Sequence, residues 1–114
     1  MPYINTVTTK EITEEKKAAL TRALGEAITL IPGKSESWLM LNFEGSAKMA
    51  FRGDGVTDCA MLEVEIFGKA SADALCRLTQ RLCSVTSEIL AVPSDRIYVK
   101  YRECDKWGYD GSNF

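Results

Sequence analysis

Residues 59–103, CAMLEVEIFGKASADALCRLTQRLCSVTSEILAVPSDRIYVKYRE, decide the fold of this chain. The segment begins with an alternating run at 59–67. Glu63 and Glu65 share one face of this run and aliphatic residues share the other, as in a half-buried strand. Leucine, valine and isoleucine at helical spacing predict a helix over 71–90, with Ser71 as its N-cap. Alternation returns at 96–103. The segment therefore predicts a βαβ unit with parallel strands.

The first half of the chain repeats this order. Residues 3–8 predict a strand, and Thr13 is a good N-cap for a helix that ends at Pro32-Gly33. Residues 38–43, WLMLNF, predict the next strand. Two pseudo-symmetric βαβ units side by side predict an α+β domain, in which a four-stranded sheet carries both helices on one face.

The other face of that sheet needs cover. The near-continuous apolar run at 38–43 predicts a strand that is buried on both faces. Because Trp38 and Met40 belong to this run, we expect an oligomer whose sheets pack together. The alternative is a monomer with a half-polar open face. A short strand is also expected at 48–51, and a short hairpin in the glycine-punctuated aromatic tail, 106–114.

Length and charge restrict the function. A chain of 114 residues predicts a single domain over 1–114. Its net charge of −2 and pI near 5.2 give no basic face for nucleic acid and no attraction to anionic lipid. No apolar run reaches the length of a membrane span, and the N-terminus lacks a signal-peptide pattern. We therefore expect a cytoplasmic protein with neither nucleic-acid binding nor membrane insertion.

The chain has no histidine and four cysteines. The missing histidine excludes Ser-His and Cys-His catalytic pairs and the commonest zinc ligand. No two cysteines form a C-x-x-C pair, and we expect Cys76 and Cys83, on the apolar side of the second helix, to be buried structural thiols. No glycine-rich phosphate loop follows a strand. We expect neither a metal nor a cofactor.

The first residues, Met1-Pro2-Tyr3, are the strongest candidates for chemistry. An initiator methionine before a small residue is normally removed, which would leave the secondary amine of Pro2 at the tip of a strand. An α-amino group has a pKa of roughly 7.7–8.0. Burial and nearby cations lower that pKa, and a neutral amine near pH 7 suits general-base catalysis. The alternative is that Pro2 only suits the start of a strand.

Five segments occur together along the chain: Met1-Pro2 before a strand, Pro32-Gly33-Lys34 after the first helix, Phe67-Gly68-Lys69 after the third strand, PSDRIY at 93–98, and WGYDGSNF at 107–114. In this order and spacing they resemble the macrophage migration inhibitory factor (MIF) family of the tautomerase superfamily, over essentially the whole chain. The resemblance implies a homotrimer whose sheets wrap into a central barrel, with a site at each subunit interface. It also implies cofactor-free keto–enol tautomerisation of phenylpyruvate-like 2-keto acids or dopachrome analogues.

The resemblance also implies roles for single residues. Pro2 matches the catalytic base, Lys34 the site lysine, and Tyr98 a tyrosine supplied by the neighbouring subunit. The backbone N–H of Phe67 matches a donor to the substrate carboxylate. The aromatic end of the pocket matches Tyr3, Trp107, Tyr109 and Phe114. Outside the resemblance, Lys34 reads as a solvated loop lysine and Tyr98 as an ordinary strand tyrosine.

This chain departs from the family pattern at three positions. Cys59 lacks the second thiol of a C-x-x-C motif, so we expect no thiol redox activity. Lys100 stands where the family has asparagine, and its charge could strengthen acid binding, alter substrate choice or stay solvated. Phe67 replaces a smaller aliphatic residue and could narrow the pocket. Retention of Met1 would turn the nitrogen of Pro2 into an amide and abolish the mechanism.

Two other functions stay open on the sequence alone. One is a cytokine-like mediator that is secreted without a signal peptide, binds a cell-surface receptor and keeps residual tautomerase activity. The other is a structural relative without relevant activity. No local motif distinguishes them, because a receptor-binding surface is assembled by the fold.

Overall fold

Two helices cover one face of a mixed four-stranded sheet in the computed structural model of the chain, which describes residues 1–114. The long elements are β1 (Pro2–Thr8), α1 (Glu14–Ala27), β2 (Met40–Glu44), β3 (Ala60–Phe67), α2 (Ala72–Leu90) and β4 (Ile97–Cys104). Short 3₁₀ turns lie at Ile28–Leu30, Glu36–Trp38 and Ser94–Arg96, and the tail forms a small hairpin of β5 (Gly108–Tyr109) and β6 (Ser112–Asn113). The predicted α+β architecture and the tail hairpin are confirmed.

The sheet has the order β2-β1-β3-β4. Strands β1 and β2 are parallel, β3 and β4 are parallel, and the two pairs meet through antiparallel β1 and β3. This is the arrangement that two adjacent βαβ units produce. Its register places Pro2 opposite Ile66, at one end of the sheet, and Tyr98 opposite Met61, at the other end. The two ends therefore carry different sets of side chains.

Both helices begin where the sequence predicts. The hydroxyl of Thr13 accepts a hydrogen bond from the N–H of Lys16 at 3.2 Å, and that of Ser71 accepts one from Ala74 at 3.1 Å. Each cap satisfies a backbone donor that has no partner within its helix. Helix α2 ends at Ala91, which is left-handed with φ 58°. The chain can therefore turn from the helix into β4.

The core lies between the sheet and the helices. The aliphatic face of β3 is buried, as its alternation predicts, whereas Glu63 and Glu65 on the other face are half-buried. Each fully buried leucine or isoleucine contributes roughly 1.5–3 kcal/mol. The completely buried large side chains are Ile4, Leu20, Leu24, Ile28, Leu62, Leu78, Leu82 and Leu90.

The prediction for the second strand is wrong in its bounds, and the expected burial is not found within one protomer. Strand β2 starts at Met40, and Trp38 ends the preceding 3₁₀ turn. Neither face is buried, and Met40 is 68% exposed. The physical reason is that β2 is an edge strand, which pairs only with β1. Its apolar run therefore reflects exposed side chains as well as the half-buried Leu41 and Phe43.

Two smaller predictions also fail. Residues 48–51 form no strand, since only an isolated bridge joins Phe51 to Asp54. Cys76 is exposed and Cys83 is half-buried, so the expected pair of buried thiols is not found. Helix α2 buries the stripe that contains Ala74 and Leu78, and Cys76 lies two residues from each, which turns it toward solvent.

The sheet face opposite the helices is more polar than expected. Lys100 forms an ion pair with Glu63 at 3.0 Å, and Arg102 forms one with Glu65 at 3.3 Å. Asn5 lies beside Glu63 and donates to its carboxylate. Within one protomer this face is therefore half-polar, and the packing of sheets in an oligomer stays a prediction. Neither helix combines the length and hydrophobicity that crossing a membrane would require.

Candidate active site

A cleft of about 460 Å³ opens at the end of the sheet where β1 begins. It brings together four of the predicted site residues, namely Pro2, Tyr3, Trp107 and Tyr109. The remaining wall residues come from the start of the chain, the turn before β2, strand β3 and the tail: Met1, Ser37, Trp38, Leu39, Met40, Glu65 and Gly108.

The chain terminus lies inside this cleft. Pro2 is buried as the first residue of β1, and the carbonyl of Met1 accepts a hydrogen bond from the N–H of Phe67 at 2.9 Å. The pKa of the α-amino group of Met1 is lowered from its usual value. Burial is the main cause, followed by the positive charge of Lys34 and a hydrogen bond with that side chain. An amine in this position is therefore biased toward its neutral form.

Lys34 is tied to the cleft from the loop after α1. Gly33 adopts φ 84°, a left-handed conformation that favours glycine, and the N–H of Lys34 donates to the carbonyl of Ile31 at 3.1 Å. The Lys34 Nζ then donates to the carbonyl oxygen of Phe67 at 2.7 Å. The ammonium group is thus anchored at the end of β3, beside the chain terminus.

Phe67 contributes both its backbone and its ring. Its N–H is bound by the Met1 carbonyl and its own carbonyl by Lys34. The ring lies 5.9 Å from that of Phe114, centroid to centroid. Removal of Met1 would leave the Phe67 N–H free to bind another acceptor at the same place.

An aromatic wall forms the far side of the cleft. The ring of Trp38 meets Tyr109 edge-on at 5.0 Å, and Tyr109 stacks with Phe114 at 6.2 Å. The N–H of Phe114 donates to the carbonyl of Trp107 at 2.9 Å, which holds the tail in place. Such a wall suits the flat face of an aryl group.

Sequence reasoning missed Trp38 and Glu65. Trp38 was assigned to a strand, whereas it lies in a 3₁₀ turn and contacts the tail hairpin. Its position shortly after Lys34 could have indicated a place near the site. Glu65 brings a carboxylate into the cleft, where Arg102 partly compensates its charge. The sequence could have indicated Glu65, because it lies two residues before Phe67, on the open face of the strand.

Tyr98 and Lys100 lie outside this cleft in the same protomer. Tyr98 is at the opposite end of the sheet, 61% exposed, with its ring edge-on to Phe51 at 4.8 Å. Lys100 is beside Glu63, and a hydrogen bond from Lys100 is the main reason why the pKa of Glu63 is lowered. Tyr98 could contact a ligand at Pro2 only if another subunit supplied it, whereas Lys100 lines a neighbouring pocket of its own protomer with Tyr3 and Glu65.

The cleft offers a restricted set of chemical groups. It is lined by a chain terminus with a depressed amine pKa, aromatic side chains and the Glu65 carboxylate. The Lys34 ammonium and the Phe67 backbone lie beside it, at the end of β3, and are not lining residues. No group of three or more Asp, Glu, Cys or His side chains is arranged to hold a metal ion. These groups can bind a carboxylate and an aryl ring next to a base.

Comparison with known proteins places this geometry in a family. The MIF of Xenopus laevis is 27% identical over 97 residues, which cover 83% of this chain and 80% of that protein. The crystal structure of Leishmania major MIF2 is similar over 100% of this chain and 97% of that one, with 27% identity and a TM-score of 0.93. A structure described as a fused 4-OT wild-type symmetric trimer shares the fold at 20% identity, with a TM-score of 0.81, over 96% of this chain and 93% of that one. The family model for macrophage migration inhibitory factor matches residues 1–114. Because that match runs from the first residue to the last, the chain belongs to the macrophage migration inhibitory factor family.

Proposed function

We propose that the protein is a cofactor-free keto–enol tautomerase, which acts on phenylpyruvate-like 2-keto acids and on dopachrome analogues. Pro2 is the base and acid once Met1 has been removed. The observation that carries this proposal is the lowered pKa of the terminal amine, beside the anchored ammonium of Lys34. The two largest causes of that shift, burial and then the charge of Lys34, act on the Met1 amine, one residue before the nitrogen that would become the terminus after processing.

The reaction needs one group that accepts and returns a proton. The neutral amine of Pro2 takes a proton from the carbon beside the keto group. The C–H electron pair forms the new C=C bond, and the π pair of the carbonyl moves to its oxygen. The resulting ammonium protonates that oxygen and gives the enol. Lys34 and the Phe67 N–H bind the carboxylate, as their positions at the end of β3 allow.

The aromatic wall selects the substrate class. Tyr3, Trp107, Tyr109 and Phe114 hold the aryl ring, and Trp38 joins them. Phe67 is bulkier than the aliphatic residue that the family pattern has, and its ring packs toward Phe114. We therefore expect flat, unsubstituted aryl groups to be favoured over bulky ones.

The proposal includes a homotrimer, in which a neighbouring subunit supplies Tyr98 to donate a hydrogen bond to the enolate or the carboxylate. Two observations support it. Tyr98 and Pro2 lie at opposite ends of the sheet within one protomer. The 4-OT structure of the same fold is described as a symmetric trimer. Lys100 would reach the site from the neighbouring pocket of its own protomer, although its ion pair with Glu63 competes with substrate binding.

Pro2→Gly tests the role of the base. This variant keeps a terminal amine but loses the secondary one, and we expect roughly a hundredfold loss of turnover of phenylpyruvate. Intact mass must first show that Met1 is absent from both proteins. The matched control is Glu11→Gly, an exposed position in the loop between β1 and α1. Unchanged turnover in the processed Pro2→Gly protein would contradict the assignment.

A receptor-binding function is the second candidate, because the Xenopus relative is named for its action on macrophage migration. It requires export of the protein from the cytoplasm without a signal peptide, and a cell-surface receptor. Quantification of the protein in culture supernatant against a cytoplasmic marker tests the first requirement. Absence of the protein from the supernatant would argue for a cytoplasmic enzyme.

A further inference from the structure

We propose that Arg96 and Phe51 are positioning residues for Tyr98: Arg96 clamps the 51–58 loop, and the loop holds Phe51 against the tyrosine ring. This inference rests on the proposed function, since it concerns a tyrosine that completes the neighbouring site. It assigns a catalytic consequence to a loop that lies at the end of the sheet farthest from Pro2.

The Arg96 side chain is only 9% exposed, and its guanidinium makes four hydrogen bonds to the loop. Nε donates to the carbonyl of Asp58 at 3.0 Å, Nη1 to Phe51 at 3.2 Å, and Nη2 to Asp54 at 3.1 Å and Thr57 at 3.0 Å. A planar fork with five donors can satisfy several carbonyls at once, which lysine cannot do. Arg96 therefore fixes the path of the whole loop from one point.

The loop is also closed on itself. Phe51 and Asp54 exchange two backbone hydrogen bonds of 3.0 Å. Hydrogen bonds from Thr57, and then from the N–H of Val56, lower the pKa of the Asp54 carboxyl to about 2. The carboxylate accepts hydrogen bonds from the N–H groups of Val56 at 2.8 Å and Thr57 at 3.1 Å, which closes the next turn of the loop. Phe51 stands at the start of the closed turn and cannot move independently of Arg96.

The Phe51 ring lies between Arg96 and Tyr98. The guanidinium carbon is 5.3 Å from the ring centroid, and the ring meets Tyr98 edge-on, at 4.8 Å and 78°. The Tyr98 hydroxyl makes no hydrogen bond within the protomer, whereas that of Tyr101, on the same strand, is bound by Thr79 and Leu75. The Phe51 ring is thus the aromatic contact that limits where the free Tyr98 hydroxyl points.

Phe51→Leu, with Phe51→Tyr as the matched control, tests this arrangement. The first variant removes the aromatic edge but keeps apolar bulk, and the second keeps the ring. We expect Phe51→Leu to lower kcat/KM by about tenfold, mainly through kcat, and Phe51→Tyr to stay near the parent, because loss of alignment reduces turnover more than binding. Size-exclusion chromatography must show the same assembly for all the proteins.

A double-mutant cycle with Tyr98→Phe separates positioning from general support of the fold. If Phe51 acts through the tyrosine, Phe51→Leu causes little further loss in the Tyr98→Phe background. An equal loss in both backgrounds would overturn the positioning role. If Tyr98→Phe alone leaves turnover unchanged, the proposed function is wrong about Tyr98, which is a different failure.

Tyrosine-ring NMR signals give a readout that does not depend on activity. Loss of the neighbouring aromatic ring should move the Tyr98 ring signals of Phe51→Leu, and those of Arg96→Lys to a smaller extent, whereas Tyr3 should be unaffected. Unmoved Tyr98 signals in a folded Phe51→Leu protein would overturn the proposal, even if the protein proved to have no tautomerase activity.

Discussion

The two ends of the sheet differ in what they contain. The Pro2 end has a cleft, an anchored ammonium, a terminal amine with a depressed pKa and an aromatic wall. The Tyr98 end has a clamped loop and an exposed tyrosine whose hydroxyl has no partner in the protomer. Under the proposed function, the Pro2 end binds the substrate, and the Tyr98 end donates a hydrogen bond in the site of a neighbouring subunit. Under the proposed mechanism, each protomer therefore contributes its Pro2 end to one site and its Tyr98 end to a different site.

The role of the Pro2 end is tested by blocking the Pro2 nitrogen. An alanine inserted before Pro2 converts its nitrogen into an amide and shifts the free amine by one residue. We expect a loss of phenylpyruvate turnover of about a thousandfold or more, since general-base catalysis contributes up to about 10⁴-fold. The measurement is a tautomerase assay on protein of verified mass. Substantial residual turnover would mean that Pro2 is not the base.

The clamp on the loop at the Tyr98 end is tested by the effect of Arg96→Ala on the free energy of unfolding. Arg96→Ala would leave several loop carbonyls without a donor and a void beside Phe51. We expect the free energy of unfolding to fall by about 3 kcal/mol. The matched control is Arg102→Ala, which removes an exposed arginine with one ion pair and should cost less than about 1 kcal/mol. Equal costs in urea denaturation would show that the loop is not clamped.

Lys34→Ala tests whether the charge of Lys34 lowers the pKa of the amine at the Pro2 end. In Lys34→Ala the amine stays buried but loses its cationic neighbour, so its pKa should rise. A higher amine pKa means more protonated base at low pH, and the acidic limb of the kcat/KM profile should shift upward. Loss of a charged partner for the carboxylate should also cost roughly tenfold or more in kcat/KM at the optimum.

Lys17→Ala is the matched control for that experiment. Lys17 is an exposed lysine on α1 that forms no ion pair, and its removal changes the net charge equally. A profile that shifts by the same amount in both variants would reflect overall charge and would exclude a specific effect of Lys34.

Local patterns predicted most of the fold. The alternation at 59–67, the caps Thr13 and Ser71, and the turns after the helices depend on neighbouring residues, so the sequence displays them directly. The burial of β2 could not be predicted, because an apolar run does not reveal whether its strand lies at the centre or the edge of a sheet. The failed strand at 48–51 is a loop, and the carbonyl of its last residue, Phe51, is bound by the distant Arg96.

The candidate site was only partly accessible from sequence. Pro2, Tyr3, Trp107 and Tyr109 meet in one cleft, and Lys34 is anchored beside it. Trp38 was missed because a 3₁₀ turn and the packing of the tail, both tertiary effects, bring it there. The separation of Tyr98 from Pro2 depends on strand register, which is fixed only when the two βαβ units are joined.

Mixing two inactive variants tests the central claim most directly. Pro2→Gly subunits keep Tyr98, and Tyr98→Phe subunits keep Pro2, so a mixed assembly should contain some interfaces where both groups are intact. After joint unfolding and refolding, the account predicts phenylpyruvate turnover well above the mean of the two parents. Turnover equal to that mean, in assemblies shown by mass to be mixed, would contradict a site built from opposite ends of two subunits.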